Sequence, residues 1–224
     1  MRVGMMRKPL SDCRLYAFID LGFPRAGAPE LLLRQLADGG ADLVQLRAKT
    51  ALAGEVRSLA DRLLPLAEQA GIGLVLNDHW RIACELGVPF AHLGEEDFFG
   101  AGLKRASQIL PPDGPTRLGL TACGPDAARR SEEAGAAYLG IGPVFATATK
   151  PEAQPASLDF VRWAAGHVQR PWFAIGGITL ETLDRVLEAG ARRICVISAI
   201  LNAPDVARAC QAFRRRLDSA GLVI

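Results

Sequence analysis

The chain has 224 residues, half of them hydrophobic and only 6% aromatic, with 23 glycines and a formal net charge of +2. A chain of this length buries roughly 70–75% of its unfolded surface, so its core needs no disulfide or metal staple, and its composition excludes a disordered chain. The weak charge, with no basic face interleaved with aromatics, argues against a nucleic-acid partner.

Residues 1–13 carry Arg2, Arg7 and Lys8 with no apolar stretch behind them, so they read as a flexible N-terminal extension and not as a signal peptide. No run of about 18 apolar residues offers a membrane span. The five cysteines, Cys13, Cys84, Cys123, Cys195 and Cys210, are odd in number, scattered and free of any C-x-x-C pair, which speaks against a disulfide framework or a zinc site. A cytoplasmic protein is expected.

Short apolar runs then alternate with longer amphipathic ones. The apolar runs fall at 15–19, 42–46, 73–76, 91–93, 117–120, 138–141, 172–175 and 194–197. Helix-like stretches occupy 29–38, 52–70, 124–134, 180–189 and 205–217, with apolar residues three and four apart, as in Leu183, Val186 and Leu187. Gly39-Gly40, Gly71, Gly135 and Gly190 stand where helices stop. Strands joined through helices run parallel, and eight such units close most economically into a single (β/α)8 TIM barrel spanning residues 1–224. An open doubly wound sheet competes, but Asp20-Leu21-Gly22-Phe23 follows the first strand where a G-x-G-x-x-G turn would be expected.

In a (β/α)8 barrel the chemistry gathers at the carboxyl ends of the strands. The second run ends in Gln45-Leu46-Arg47-Ala48-Lys49, and alternation puts Gln45, Arg47 and Lys49 on one face, toward the barrel mouth. Two cations beside an amide suit a pyrophosphate, the alternative being solvated loop residues. The third run ends in Asn77-Asp78 and the fourth in Gly94-Glu95-Glu96-Asp97. Carboxylates on neighbouring strands make a seat for Mg²⁺, although Asp78 alone would serve as a helix cap and Asp97 as an ordinary surface acid.

The sixth run leads into Gly142-Pro143-Val144-Phe145-Ala146-Thr147-Ala148-Thr149-Lys150-Pro151, whose hydroxyls and ammonium suit a loop closing over a phosphate. The seventh ends in Gly176-Gly177 and the eighth in Ile197-Ser198, where this fold usually binds phosphate. His92 reads as a satisfied barrel-interior residue, His79 as a neighbour of the site and His167 as solvated. Cys123 is the cysteine nearest the expected mouth, with no base beside it to activate it.

Taken together, VQLRAK (44–49), LNDH (76–79), HLGEED (92–97), GIGPVFATATK (140–150), AIGGI (174–178) and VISAI (196–200) resemble the thiamine-phosphate synthase family. The resemblance implies a (β/α)8 barrel that couples hydroxymethylpyrimidine pyrophosphate to hydroxyethylthiazole phosphate with Mg²⁺, pyrophosphate leaving first and the thiazole nitrogen capturing a pyrimidine carbocation. It implies that Gln45, Arg47, Lys49, Asn77 and Lys150 contact the pyrimidine pyrophosphate and that Asp78 and Asp97 are the Mg²⁺ ligands. Thr147, Thr149, Gly177, Ile197 and Ser198 fall on the thiazole-phosphate side, and Thr121 takes the place of the family's serine; Lys150, Arg47, Lys49 and Thr121 are the catalytic candidates. The chain departs from the family's pattern at Cys123, usually His, at Ala146, usually Pro, and at His79, commonly Arg.

Small-molecule partners are thus expected, without nucleic acid or membrane, and a homo-oligomer is compatible with the sequence. Three rivals are a thiazole-phosphate tautomerase-like isomerase, a non-catalytic thiamine-phosphate-binding paralogue and a Schiff-base aldolase using Lys49 or Lys150. The absence of histidine at position 123 argues against the isomerase.

Overall fold

The computed structural model of the protein describes residues 8–23, 28–147 and 156–220. Among these, β1 (Leu15–Asp20), β2 (Leu43–Arg47), β3 (Gly73–Asn77), β4 (Phe90–Leu93), β5 (Arg117–Ala122), β6 (Tyr138–Ile141), β7 (Trp172–Ile175) and β8 (Ile194–Cys195) form a closed parallel barrel in chain order. Leu15 pairs with Ile194 and Tyr16 with Cys195, so β8 returns to β1 and the open sheet is excluded. The helices are α1 (Pro29–Asp38), α2 (Ala53–Ala70), α3 (Trp80–Leu86), α4 (Glu95–Phe99), α5 (Pro125–Glu133), α6 (Ser157–His167), α7 (Leu180–Glu188), α8 (Ser198–Leu201) and α9 (Val206–Ala220). None is long and apolar enough to cross a membrane.

The long helices form because each carries an apolar stripe for the sheet. On α7 the stripe is Leu183, Val186 and Leu187, all buried. Helices α4 and α8, of five and four residues, are too short to show a period, and hydropathy did not reveal them. The eighth strand is also shorter than the run 194–197. Val196 N still donates to Tyr16 O at 2.9 Å, but Ile197 already turns the chain into α8.

Of the stretch 1–13, residues 8–13 are packed and not free. Leu10–Asp12 makes a 3-10 turn, Cys13 is fully buried, and Lys8 Nζ lies 2.6 Å from Asp42. This is the amino-terminal end of the barrel.

Inside the barrel, register and two-residue alternation decide which side chains meet. Phe18 pairs with Gln45 and Asp20 with Arg47, Asn77 with His92, Thr121 with Gly140, and Ile175 with Cys195. One layer lower, Tyr16, Phe90, Tyr138 and Phe173 fill the centre with edge-to-face rings at 5.4–6.0 Å. Gly119 is what admits Tyr138: a Cβ there would collide with the phenol ring. The aromatic plug closes the barrel below and gives the mouth above it a floor.

Candidate active site

The mouth holds a cavity of about 510 Å³ at the carboxyl ends of the strands. Gln45, Arg47, Lys49, Asn77, Asp78, Asp97, Thr121, Thr147, Gly177, Ile197 and Ser198 all line it. Thr149 and Lys150 lie outside the described residues. Strand order divides the lining in two. The cations and acids come from β2, β3 and the start of α4, while hydroxyls and glycines come from the loops after β6, β7 and β8.

On the first side, Arg47 reaches Asp20 Oδ2 at 2.6 Å and Lys49 reaches Asp78 Oδ2 at 2.6 Å. Asp20 is 1% exposed, and its other oxygen accepts the Gly22 amide at 2.9 Å, so the carboxylate that aims Arg47 is itself fixed. Asp78 has a left-handed backbone, φ 63°, which Asp tolerates better than most residues. Its amide donates to His92 O at 2.9 Å, stitching the turn to β4. The helix-cap alternative for Asp78 fails, because His79 is the N-cap of α3 and no side chain caps that helix.

The three acids after β4 separate by their partners. All three line the cavity; Glu95 is ion-paired with Arg130, whereas Glu96 and Asp97 are both exposed and without an ion pair among the described residues. Gly94 leaves Asp97 room, since a Cβ there would lie 2.6 Å from Asp97 Oδ2. No group of three His, Cys, Asp or Glu side chains assembles among the described residues. A hard cation such as Mg²⁺ suits this donor set all the same, because it is commonly held by one or two carboxylates plus substrate phosphate and water. Asp78 already draws a cation, the Lys49 ammonium, on the cavity side.

On the second side, the two glycines do a job beyond the one their sequence suggested. Expected as a bare backbone for phosphate, they also let one loop dock on another. A Cβ on Gly176 would lie 2.5 Å from Pro143 Cβ, and one on Gly177 would lie 2.5 Å from Ala146 O. Both glycines have positive φ, 101° and 63°. Val144 N donates to Ile175 O at 2.8 Å and Phe145 N to Gly176 O at 3.1 Å, which pins the segment carrying Thr147 over the cavity. In the adjacent loop Ser198 opens the short α8, where the Ile200 and Leu201 amides turn back to Ile197 O at 3.1 and 2.9 Å and those of Ser198 and Ala199 have no partner within the helix. Loops after strands seven and eight with a short extra helix are the usual phosphate seat of this fold.

The floor was only partly foreseen. His92 is buried with Nδ1 3.1 Å from the Tyr138 hydroxyl and Nε2 2.9 Å from Thr121 Oγ1. Burial, with Lys49 adding to it, pushes its pKa down to about 4, so the ring is neutral near pH 7. The Tyr138 hydroxyl lies 3.0 Å from that of Tyr16, which accepts from Gln45 Nε2, and burial raises the pKa of both phenols. Sequence reading missed Asp20, Tyr16 and Tyr138. Their signal was present, because Tyr16, Phe18 and Asp20 alternate on the face that pairs with Gln45 and Arg47.

The family model for thiamine monophosphate synthase matches residues 15–200. The chain is 44% identical over 180 residues to a thiamine-phosphate synthase of Thermus thermophilus, covering 80% of this chain and 84% of that one. The chain belongs to the thiamine monophosphate synthase family. A thiamine-phosphate synthase of Thermobifida fusca is 41% identical over 96% of this chain and 97% of its own. Among solved structures, thiamine phosphate pyrophosphorylase from Pyrococcus furiosus superposes with a TM-score of 0.81 at 27% identity, covering 94% and 98% of the two chains. 3-Hexulose-6-phosphate synthase, at TM-score 0.61 and 21% identity over 90% and 98%, shares the fold.

Proposed function

We propose that the protein is a thiamine-phosphate synthase, a transferase joining hydroxymethylpyrimidine pyrophosphate to hydroxyethylthiazole phosphate with release of pyrophosphate. The observation that carries this reading is the convergence of two sets of polar groups on one cavity: Arg47, Lys49, Asp78 and Asp97 on one side, Thr147, Gly177, Ile197 and Ser198 on the other.

In this reading Arg47 and Lys49 bind the diphosphate of the first substrate, and Asn77 and Lys150 complete that set. Arg47 offers a planar fork held by Asp20. Asp78 and Asp97 would hold Mg²⁺, which, when bound, neutralises charge on a departing pyrophosphate. Gln45 and Thr121 face the pyrimidine ring from opposite walls, and Gly177, Ile197, Ser198, Thr147 and Thr149 hold the thiazole phosphate. The C–O bond of the pyrimidine's hydroxymethyl carbon breaks with its electron pair leaving on pyrophosphate. The lone pair of the thiazole nitrogen then forms the new C–N bond. That nitrogen is neutral, so no general base is needed. The cations must stabilise the leaving group, and the docked 142–147 segment must keep water from a reactive carbon.

Among the described residues the rival chemistries find less support. An isomerase needs a proton-transfer group, yet both nitrogens of His92 are engaged by hydroxyls, and position 123 is cysteine. A Schiff-base lysine needs apolar surroundings, and Lys49 sits against a carboxylate. The deciding test supplies purified protein with both substrates and Mg²⁺. Thiamine phosphate and pyrophosphate should form in equal amounts, and chelation of the metal should stop the reaction. Tight binding of both substrates by calorimetry with no product would instead make the protein a binder.

A further inference from the structure

Beneath the cavity, five polar side chains are linked in one line across the barrel: Gln45, Tyr16, Tyr138, His92 and Thr121. The middle three are buried, Tyr16 and Tyr138 within the aromatic plug itself; Gln45, His92 and Thr121 line the cavity, and of these His92 has both ring nitrogens engaged by hydroxyls. Each hydroxyl owns one proton, and a neutral imidazole owns one on nitrogen, so the direction of the whole line follows from its first bond.

Gln45 donates through Nε2 to the Tyr16 oxygen. The Tyr16 proton then has one place to go, the Tyr138 oxygen 3.0 Å away. Tyr138 passes its own proton toward His92 Nδ1, at 3.1 Å, which leaves His92 protonated on Nε2 and donating to Thr121 Oγ1 at 2.9 Å. With Gln45 Nε2 turned toward Tyr16, the opposite order strands the fully buried Tyr16 proton with no acceptor, and buried donors are seldom left unmet. In the favoured order the Thr121 proton is spared for the cavity. At the other end, Gln45 Nε2 is engaged below, so its Oε1 faces the cavity as an acceptor.

We propose that Tyr16, Tyr138 and His92 are positioning residues that lock the donor and acceptor roles of the pocket, holding Thr121 as a donor and the Gln45 carboxamide oxygen as an acceptor. Such a pocket fits an aromatic ring that carries an amino group on one side and a ring nitrogen on the other: the amine donates to Gln45 and the ring nitrogen accepts from Thr121. It disfavours the oxo-pyrimidine, whose carbonyl and ring N–H reverse the pattern. The choice of ligand rests on the proposed function; the locked polarity does not.

The test is therefore split. In the full-length ¹⁵N-labelled protein without ligand, correlation spectra of the His92 ring, assigned by its loss in His92→Gln, should show protonated Nε2 and bare Nδ1 near neutral pH. An Nδ1-protonated ring, or one protonated on both nitrogens, overturns the proposal whether or not the enzyme turns over. Tyr138→Phe should abolish the fixed tautomer, whereas Phe173→Leu, which thins the same aromatic cluster without touching a hydroxyl, should leave it intact. With substrates, Tyr138→Phe should raise the KM for the pyrimidine pyrophosphate roughly tenfold and leave that for the thiazole phosphate within about twofold. An equal rise in both KM values would reduce these residues to scaffolding.

Discussion

Asp42 and Asp78 are both carboxylates held by a lysine, yet they sit at opposite ends of the barrel and in opposite electrostatic conditions. Asp42, just before β2, accepts from Lys8 at 2.6 Å, from Arg214 at 3.0 Å, and from the backbone amides of Arg14 and Leu15 at 2.6 and 3.0 Å; its side chain is 8% exposed. It ties the N-terminal segment and α9 to the barrel floor, and its hydrogen-bonding capacity is used up. Asp78 has Lys49 as its ion-pair partner, is 30% exposed and lines the cavity. A saturated carboxylate holds structure together. One with a single ion-pair partner among the described residues, beside a cavity, keeps lone pairs that a ligand could use.

That contrast can be broken most sharply at Asp42. Asp42→Ala leaves Arg214 and two backbone amides without their acceptor and should cost about 3–5 kcal/mol in urea unfolding, while the rate per folded molecule stays unchanged. A collapse of rate at full stability would refute the division. At the other end the pattern should invert. Asp97→Ala should lower kcat roughly 10²–10³-fold, the size of a lost transition-state contact, with thermal stability close to that of the parent, whereas Arg47→Ala should lower the rate as much and also destabilise the fold, because it leaves the buried Asp20 carboxylate unpaired.

His92 belongs to the interior between the two ends, and it supplies the pH dependence. Its folded pKa of about 4 lies below the ordinary 6.5, so the unfolded chain binds the proton more readily. Stability is therefore complete above pH 6.5 and falls by about 3 kcal/mol as pH drops toward 4. Denaturant titrations across that window should show the loss in the parent and lack this contribution in His92→Gln. The smallest effect is expected at Cys123, which lines the mouth but has no proton to move in the proposed reaction. Cys123→Ser should keep the rate within about twofold.

The barrel was legible because its signal is repetitive: buried parallel strands read as apolar runs, and their helices as stripes. Legible too were the polar residues at strand ends, since an Arg or Lys ending an apolar run breaks the pattern. Asp20 did the same at the end of β1 and was passed over, because one acid beside a Leu-Gly turn looks like a loop. The Tyr16–Tyr138–His92 line is written in residues 122 and 46 positions apart, and only closure of the barrel brings them together. Gly176 and Gly177 carry a double meaning, loop docking as well as cavity lining, that no local pattern separates. Helix α8 is simply shorter than the window needed to see it.

The central claim is that one cavity seats two anions on opposite walls, a diphosphate by β2–β4 and a monophosphate by β7–β8. A crystal structure of the protein with thiamine phosphate, pyrophosphate and Mg²⁺ tests it most directly. The account predicts pyrophosphate against Arg47 and Lys49, the metal between it and Asp78 and Asp97, and the phosphate of thiamine phosphate at Gly177 and Ser198. Both ligands on one wall, or either one bound away from the barrel mouth, would contradict it.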